Sequence, residues 1–484
     1  MEPHGALERG LSVLRALAAA PGCRLRATDL VQATGLARAT VDRVLATLVH
    51  LGHLRAEGKD VLLAPRLLEL GAAYLAAGGL PALDRPAAEL AERLDESVSL
   101  AVLDGDSVRF VARHTRRRAM AVSLRVGDLL PADRCAAGLV LLDPALRWAV
   151  DDQLVEPGLI AVAAPVRAPG GDVVYALSVT SHTSRHTAAE LREHALPYLT
   201  GTVAAMETAL ASPAPGADRP VATADRSREP KGELGASYLQ SLARGLGVLT
   251  ALGGAPGGLT LAEAAVATGL PRATVRRAVQ TLAALGYVRG QHRFAPAPRV
   301  LELGYAHLSG QTLAQLVQPH LAALAARVGE SASVAVLSGD DVLYVARVPT
   351  TSIMSVDITV GTRFPAHATS MGRVLLAAEP PERLAALTLT PLTRRTLTDP
   401  GAFAAAVRQA EATGYAVVDQ ELEEGVRSIA VPLHSGDGRV VAAVNVATHA
   451  SRAPLAHLTG TILPELREAA RRMEADLAHL PPAR

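Results

Sequence analysis

Five polar side chains fall within one short stretch: Arg272, Thr274, Arg276, Arg277 and Gln280. They lie in LTLAEAAVATGLPRATVRRAVQTLAAL (259–285), where Val275, Val279 and Leu282 recur at helical spacing and predict an inward apolar face. The five are then left outward. Guanidinium, hydroxyl and carboxamide groups near the start of an exposed helix are what reading base edges and gripping phosphates requires. A similar set occurs upstream as Arg38, Thr40 and Arg43, with Asp42 standing where the later stretch has Arg276. A carboxylate facing phosphate costs affinity unless it reads a cytosine amino group, so weaker or differently specific reading is expected there.

A second chemistry concerns anions. FPAHATSMG (364–372) is a polar, small-residue loop entering a helix, whose free N–H groups can hold a carboxylate. DQELEEGVRS (419–428) places an acidic loop just before a strand that begins with Arg427. An inward arginine in a half-buried sheet needs an anion. Asp419 or Glu423 can supply it structurally, or a ligand can, and the residues alone leave both open. His367 reads as a loop-capping histidine. No GxSxG, HExxH or phosphate-loop glycine pattern occurs, and His367, Asp419 and Cys135 share no nucleophile–base motif. Cys23 and Cys135 lack metal-ligand spacing and read as buried thiols in a reducing compartment. No catalytic residue, metal or cofactor is expected.

The element that must present Arg272 to Gln280 is a helix-turn-helix. Leu261, Ala264, Ala265 and Val266 form the first helix's apolar face, Thr268-Gly269-Leu270 the turn, and Pro271 suits a first helical turn. Tyr287–Arg289 and Gly290–Phe294 read as a hairpin wing. Between Leu259 and Arg299 six arginines (272, 276, 277, 289, 293 and 299) face one acid, Glu263, in a chain of net charge +1. Such a local patch attracts phosphate; the alternative is a winged helix used for protein contacts.

At 484 residues, 49% hydrophobic and 20% charged, the chain is ordinary globular material for several domains. No apolar run approaches membrane length, and Glu2, Glu8, Arg9 and Arg15 break a signal-peptide reading. A cytoplasmic protein with no membrane partner is expected.

The chain repeats itself. RGLSVLRAL (9–17) matches RGLGVLTAL (244–252), ATGLARATVDR (33–43) matches ATGLPRATVRR (267–277), and PRLLELG (65–71) matches PRVLELG (298–304). ESVSLAVLDGDSVRFVAR (96–113) likewise matches ESASVAVLSGDDVLYVAR (330–347). A period of about 234 residues implies duplication of a whole two-domain protein, joined by Pro- and Gly-rich 211–237. In the first copy, Leu25–Val31 and Ala37–Leu48 are the predicted helix-turn-helix and Leu54–Leu63 the wing. The run Arg113–Arg118 reads as a solvated basic loop.

In the second copy, helices at Pro298–Leu308 and Leu313–Val328 precede strands Ser333–Leu337, Val342–Arg347, Ile353–Asp357, Tyr415–Val418, Arg427–Leu433 and Val440–Thr448. Helices Met371–Ala378, Pro381–Leu387 and Asp399–Thr413 are inserted, and Leu455–Leu477 closes the chain. The pattern predicts an antiparallel α+β sheet with its helices packed on one side.

GLPRATVRRAVQTLAALGYVR, PRVLELGYAHL, VGTRFPAHATSMGRVLLAA, TGYAVVDQELEEGVRSIAVPL and VVAAVNVATHA together resemble the IclR family of bacterial transcriptional regulators. The likeness is closest to its branch governing aromatic-acid catabolism through the β-ketoadipate pathway. It covers 238–484 closely and 9–205 in degraded form. It implies an α+β chain of two winged helix-turn-helix domains, each followed by a GAF-like effector domain, the first truncated. The expected divisions are 1–78, 79–210, linker 211–237, 238–310 and 311–484. By resemblance, the effector pocket involves Ser370, Met371 and Gly372 through their backbone, then Asp419 and Ser428, then Asn445 and Ala447, with Arg427 alongside.

In the first copy Ile160 stands where Arg427 does, and the register between copies changes from 234 to 267, so 33 residues between Leu142 and Trp148 are missing. No competent acid pocket is expected there, only a structural or dimerising remnant. The expected partners are double-stranded operator DNA, a small organic or aromatic acid, and a second head, supplied within the chain or by homo-oligomerisation. The competing classes are an enzyme with an accessory winged helix, and a winged-helix adaptor that binds no DNA.

Overall fold

A computed structural model describes residues 5–116, 124–212, 235–255, 257–349 and 358–480. The expected strand Ile353–Asp357, most of the linker, and Arg117 and Arg118 of the basic run lie outside them. The chain divides into two compact units, Met1–Gly310 and Gln311–Arg484.

The first unit holds both helix-turn-helix modules. In the second copy the helices are Gln240–Leu252, Leu261–Thr268 and Arg272–Ala284. Thr260 caps the middle one: its Oγ1 accepts the Glu263 N–H at 3.2 Å, and Glu263 accepts the Thr260 N–H at 2.7 Å. Gly269 ends that helix at φ 65°, a conformation glycine adopts without steric cost. Val275, Ala278, Val279 and Leu282 are buried, as their spacing predicts. Val266 is not: it is 79% exposed, because the short helix turns Ala264 and Ala267 to the core instead. The first copy repeats the arrangement with Ala6–Ala19, Ala27–Thr34 and Arg38–His50. Its wing strands Leu54–Glu57 and Asp60–Leu63 join Arg24–Arg26 in a three-stranded sheet.

The two modules pack on each other reciprocally. A Cβ on Gly10 would lie 2.3 Å from Leu242 Cδ1, and a Cβ on Gly245 would lie 2.5 Å from Leu7 Cδ1. Gly10 and Gly245 are equivalent residues, as are Leu7 and Leu242. Residue i of one copy thus meets j of the other and j meets i, the pattern of a twofold interface. Thr47 adds a polar tie, its Oγ1 accepting the Leu239 N–H at 2.9 Å.

Both copies carry a six-stranded antiparallel sheet of the same order. In the first unit it runs Leu129–Pro131, Ser107–His114, Ser97–Asp104, Val173–His182, Leu159–Arg167, Ala149–Asp152. In the second unit it runs Arg363–Pro365, Asp341–Val348, Ser331–Ser338, Val440–His449, Val426–His434, Ala416–Asp419.

The second unit corrects the expectation of helices on one side. Alternate residues of each strand feed two cores. Ile429, Val431, Val444 and Val446 pack on one face with Leu321 and Met473, from helices Leu313–Val328 and Leu463–Leu477. Ala335, Ala430 and Ala443 pack on the other with Met371, Phe403 and Val407, from Ser370–Leu376 and Pro400–Thr413. Asp399 caps the latter helix, accepting the Ala402 N–H at 2.7 Å, with Pro400 at its first position. The closing helix is broken by a π turn at Leu458–Ile462, just before Pro464, which has no N–H to continue the ladder. In the first copy the missing residues are those of the inserted helices. Leu142 is 50% exposed there, whereas its counterpart Leu376 is fully buried.

Candidate nucleic-acid interface and effector site

Arg272, Arg276, Arg277 and Gln280 are exposed on the helix Arg272–Ala284, and Thr274 is half-buried beside them. Among the described residues, none of these three arginines is in an ion pair. Two other arginines of the basic stretch are already engaged. Arg293 ties the wing to the first helix through Glu263 at 3.2 Å and the Gly258 carbonyl at 2.8 Å. Arg299 pairs with Glu302 at 3.2 Å, and Glu302 also accepts the Tyr287 hydroxyl at 2.6 Å. Glu302 lies just past the stretch in which acids were counted. The patch is therefore Arg272, Arg276, Arg277 and exposed Arg289.

In the first copy Arg38, Thr40 and Arg43 occupy the same helical positions, with Arg38 and Arg43 exposed. Asp42, however, grips Arg38: the Arg38 Nε donates to both carboxylate oxygens, at 2.9 and 3.1 Å. The sheet that carries its wing is matched too. Arg24 and Arg55 pair with Glu57, and Arg24 and Arg26 with Asp60.

The pleat sorts the residues expected around an acid pocket. Ser428 and Ala430 lie on the sheet face of the second core, opposite Ala447 and Asn445 in register. Asn445 also pairs with Ser333, and Ser333 with Arg347. Ser370, fully buried at the start of its helix, donates from Oγ to Ser428 Oγ at 2.9 Å. Asn445 is 4% exposed, and among the described residues its Oδ1 has no hydrogen-bond partner. A buried acceptor left unmatched is costly. Ser370, Ser428, Asn445 and Ala447 therefore gather on one face. Ser333 and Arg347 join them; their strands were legible in the sequence, but the register that aligns them was not.

Of the others expected with them, Gly372, Asp419 and Arg427 are engaged elsewhere. The Met371 side chain is buried in the second core, and the role expected of this residue is through its backbone. The Gly372 N–H is taken by Thr369 Oγ1 at 2.9 Å, and a Cβ there would lie 1.9 Å from the Ala366 carbonyl oxygen. Arg427 shares the face of Ile429 and Val431, not that of Ser428. Its Nε donates to Asp419, its cross-strand neighbour, and its Nη1 to the Ala450 and Ala453 carbonyls at 3.0 and 2.8 Å. Of the alternatives the residues left open, the arginine's anion is Asp419, which Arg395 also contacts. Burial alone would raise the Asp419 pKa, but hydrogen bonds from Arg427 and Gln420 and the two guanidinium charges hold it below the ordinary carboxylate range. His367 Nε2 donates to the Thr390 carbonyl, 3.0 Å away, a loop-fixing contact.

A pair that motif reading missed ties the loop to the helix: buried Arg373 bonds buried Glu421, which also accepts the Leu397 N–H at 3.3 Å. In the first copy Ser99 and Arg113 keep Ser333 and Arg347, but the rest of the set changes. Ala136, Ala161 and Ser178 stand for Ser370, Ser428 and Asn445, and Ser178 donates to its neighbour's carbonyl, Ser99, at 3.4 Å. Among the described residues no cluster of side chains could hold a metal ion, and no helix is long and apolar enough to cross a membrane.

Family comparison bears directly on these two sites. The IclR helix-turn-helix domain matches residues 6–58 and 241–292. The C-terminal domain of the bacterial transcriptional regulator IclR matches 80–147, 145–206 and 305–475. The chain belongs to the IclR family. It is a DNA-binding transcriptional regulator carrying both family domains twice, and the effector-domain match to the first copy breaks where the 33 residues are missing.

Over 248 residues it is 45% identical to the Pca regulon regulatory protein of Pseudomonas putida, covering 50% of this chain and 84% of that one. Over 246 residues it is 33% identical to the p-hydroxybenzoate hydroxylase transcriptional activator of Acinetobacter baylyi, covering 48% and 90%. Among solved structures, a transcriptional regulator from Rhodococcus sp. RHA1 is 47% identical, with 50% of this chain and 98% of that chain covered and a TM-score of 0.46.

Proposed function

We propose that this chain regulates an operon for aromatic-acid breakdown, with its two winged helices forming an intrachain pair on operator DNA. The observation that carries the reading is the unmatched guanidinium cluster Arg272, Arg276 and Arg277 on an exposed helix beside a wing. Guanidinium groups free of carboxylates can neutralise phosphates and chelate guanine. The reciprocal packing of Gly10 on Leu242 and Gly245 on Leu7 supports pairing within one chain rather than between chains.

The effector reading is that a small aromatic acid enters the face bearing Asn445, Ser370, Ser428 and Ser333 in the second unit. A phenolic hydroxyl can donate to Asn445 Oδ1, and Arg347 in register with Ser333 brings a cation for a carboxylate. The names of the relatives, a Pca regulon regulator and a p-hydroxybenzoate hydroxylase activator, support an aromatic acid over other acids. Bound acid would act by its different affinity for two arrangements of the protein. The reading places the chain in the cytoplasm and assigns it no catalysis.

Fluorescence anisotropy with duplexes from the chain's own upstream region, titrated with 4-hydroxybenzoate, protocatechuate and β-ketoadipate, tests both halves. Salt-steep duplex binding that shifts with 4-hydroxybenzoate or protocatechuate is the expected result, and a shift with β-ketoadipate alone would point to an aliphatic acid instead. Salt-independent or absent binding would point to a protein adaptor, and binding indifferent to all three acids would remove the aromatic-acid assignment.

A further inference from the structure

The two heads do not present the same surface to DNA. On the second head's reading helix Arg272, Arg276 and Arg277 carry three positive charges and, among the described residues, meet no carboxylate. On the first head's, Arg38 and Arg43 are offset by Asp42, for one net positive charge, and Arg38 is held by both oxygens of Asp42. Gln280 of the second head is Ala46 in the first, so a carboxamide that can chelate adenine is replaced by a methyl group. The wings differ in the same direction. Glu57 and Asp60 match Arg55 of the first wing and Arg24 and Arg26 of the strand beside it, whereas in the second wing Arg293 is paired with Glu263 but exposed Arg289, among the described residues, meets no carboxylate.

We infer that the operator of this chain is intrinsically asymmetric and that Asp42 sets the asymmetry. Two identical heads related by a twofold axis read inverted repeats, because each half-site meets the same side chains. Here the twofold packing is kept at Gly10 and Gly245, but the reading surfaces it carries are unlike. The second head takes a half-site in which guanines face Arg272 and Arg276. The first head cannot chelate guanine at the position of Asp42, since a carboxylate has no donor, and it accepts only from an amino group such as that of cytosine. The Arg38–Asp42 pair is half exposed on both sides, at 56% and 52%, so it is a weak tie that DNA can open. The first head therefore still docks, holding the duplex with fewer phosphate contacts while the second sets most of the sequence. Fusion of two heads in one chain permits such divergence, because they need no longer share one sequence.

The inference rests on the DNA-reading function proposed above, and its test keeps the two apart. Binding sequences are selected from a random duplex library by the full chain, by D42R and by D42N. The wild-type chain is expected to enrich one guanine-containing half-site beside a half that is not its inverted copy. D42R is expected to convert the preference to an inverted repeat of the guanine-containing half and to bind that synthetic repeat about tenfold more tightly than wild type. D42N is expected to keep the asymmetry while relaxing the choice at one base pair. Because the Asp42 side chain is exposed, unchanged melting checks that the variants fold. A symmetric wild-type preference, or an unchanged preference for D42R, would overturn the inference. Enrichment of no sequence by the wild-type chain would remove the DNA-reading function and the inference with it.

Discussion

Arg427 and Ser428 are neighbours in sequence and stand on opposite faces of the sensor sheet. Ser428 meets Ser370 on the side of the second core, while Arg427 is bound to Asp419 and two loop carbonyls on the side of the first. One residue of displacement along a strand is enough, since side chains alternate with a period of two.

Their substitutions should separate accordingly. Arg427→Ala strips Asp419 and two carbonyls of a donor and is expected to cost about 1–3 kcal/mol of stability, read by urea unfolding, while acid affinity is retained. Loss of acid binding in a variant that still unfolds like wild type would return Arg427 to the pocket.

Asn445→Leu and Ser428→Ala should do the converse. Replacing the orphan acceptor with an apolar side chain is expected to leave the fold as stable as before and to weaken calorimetric binding of the cognate acid at least tenfold. Undiminished binding in both variants would place the effector away from this face.

The Asp419–Arg427 pair also predicts a pH dependence. Asp419 is held below its unfolded pKa, so its contribution is full above about pH 4 and is lost as pH falls through the lower folded value. Wild type should therefore lose stability on acidification below pH 4 more steeply than Arg427→Ala, where the depression is relieved. Parallel acid-unfolding curves would contradict the assignment.

For DNA, Arg272→Ala should lower affinity strongly and reduce the slope of log affinity against log salt by about 1. Arg38→Ala should change both less, because Asp42 already offsets that charge. Mobility-shift titrations at several salt concentrations decide it, and equal losses from the two variants would mean the heads read alike.

Gly10→Leu tests the pairing of heads. Even the first side-chain atom would sit 2.3 Å from Leu242, so overpacking of about 1–3 kcal/mol is expected, with weaker operator binding although Gly10 is far from the reading helices in sequence. Unchanged melting and unchanged binding together would show that the heads are not held by this contact.

Much of this was legible in the chain itself. Duplication, the helix-turn-helix, the inward Val275, Val279 and Leu282, the outward arginines and the strand segments all follow from local pattern, because helix and strand periods write themselves into residue order. The Asp42 substitution was visible for the same reason, by comparing one copy with the other.

What the sequence by itself determined was which elements form and which side chains each helix turns outward, since those depend on neighbours three or four residues away. The tertiary structure alone decided that Arg293 is spent on Glu263, that Val266 faces out, that helices cover both sides of the second sheet, and that Asn445, Ser428 and Ser370 meet. Those outcomes depend on strand register and on contacts between distant segments. Local periodicity carries no information about either.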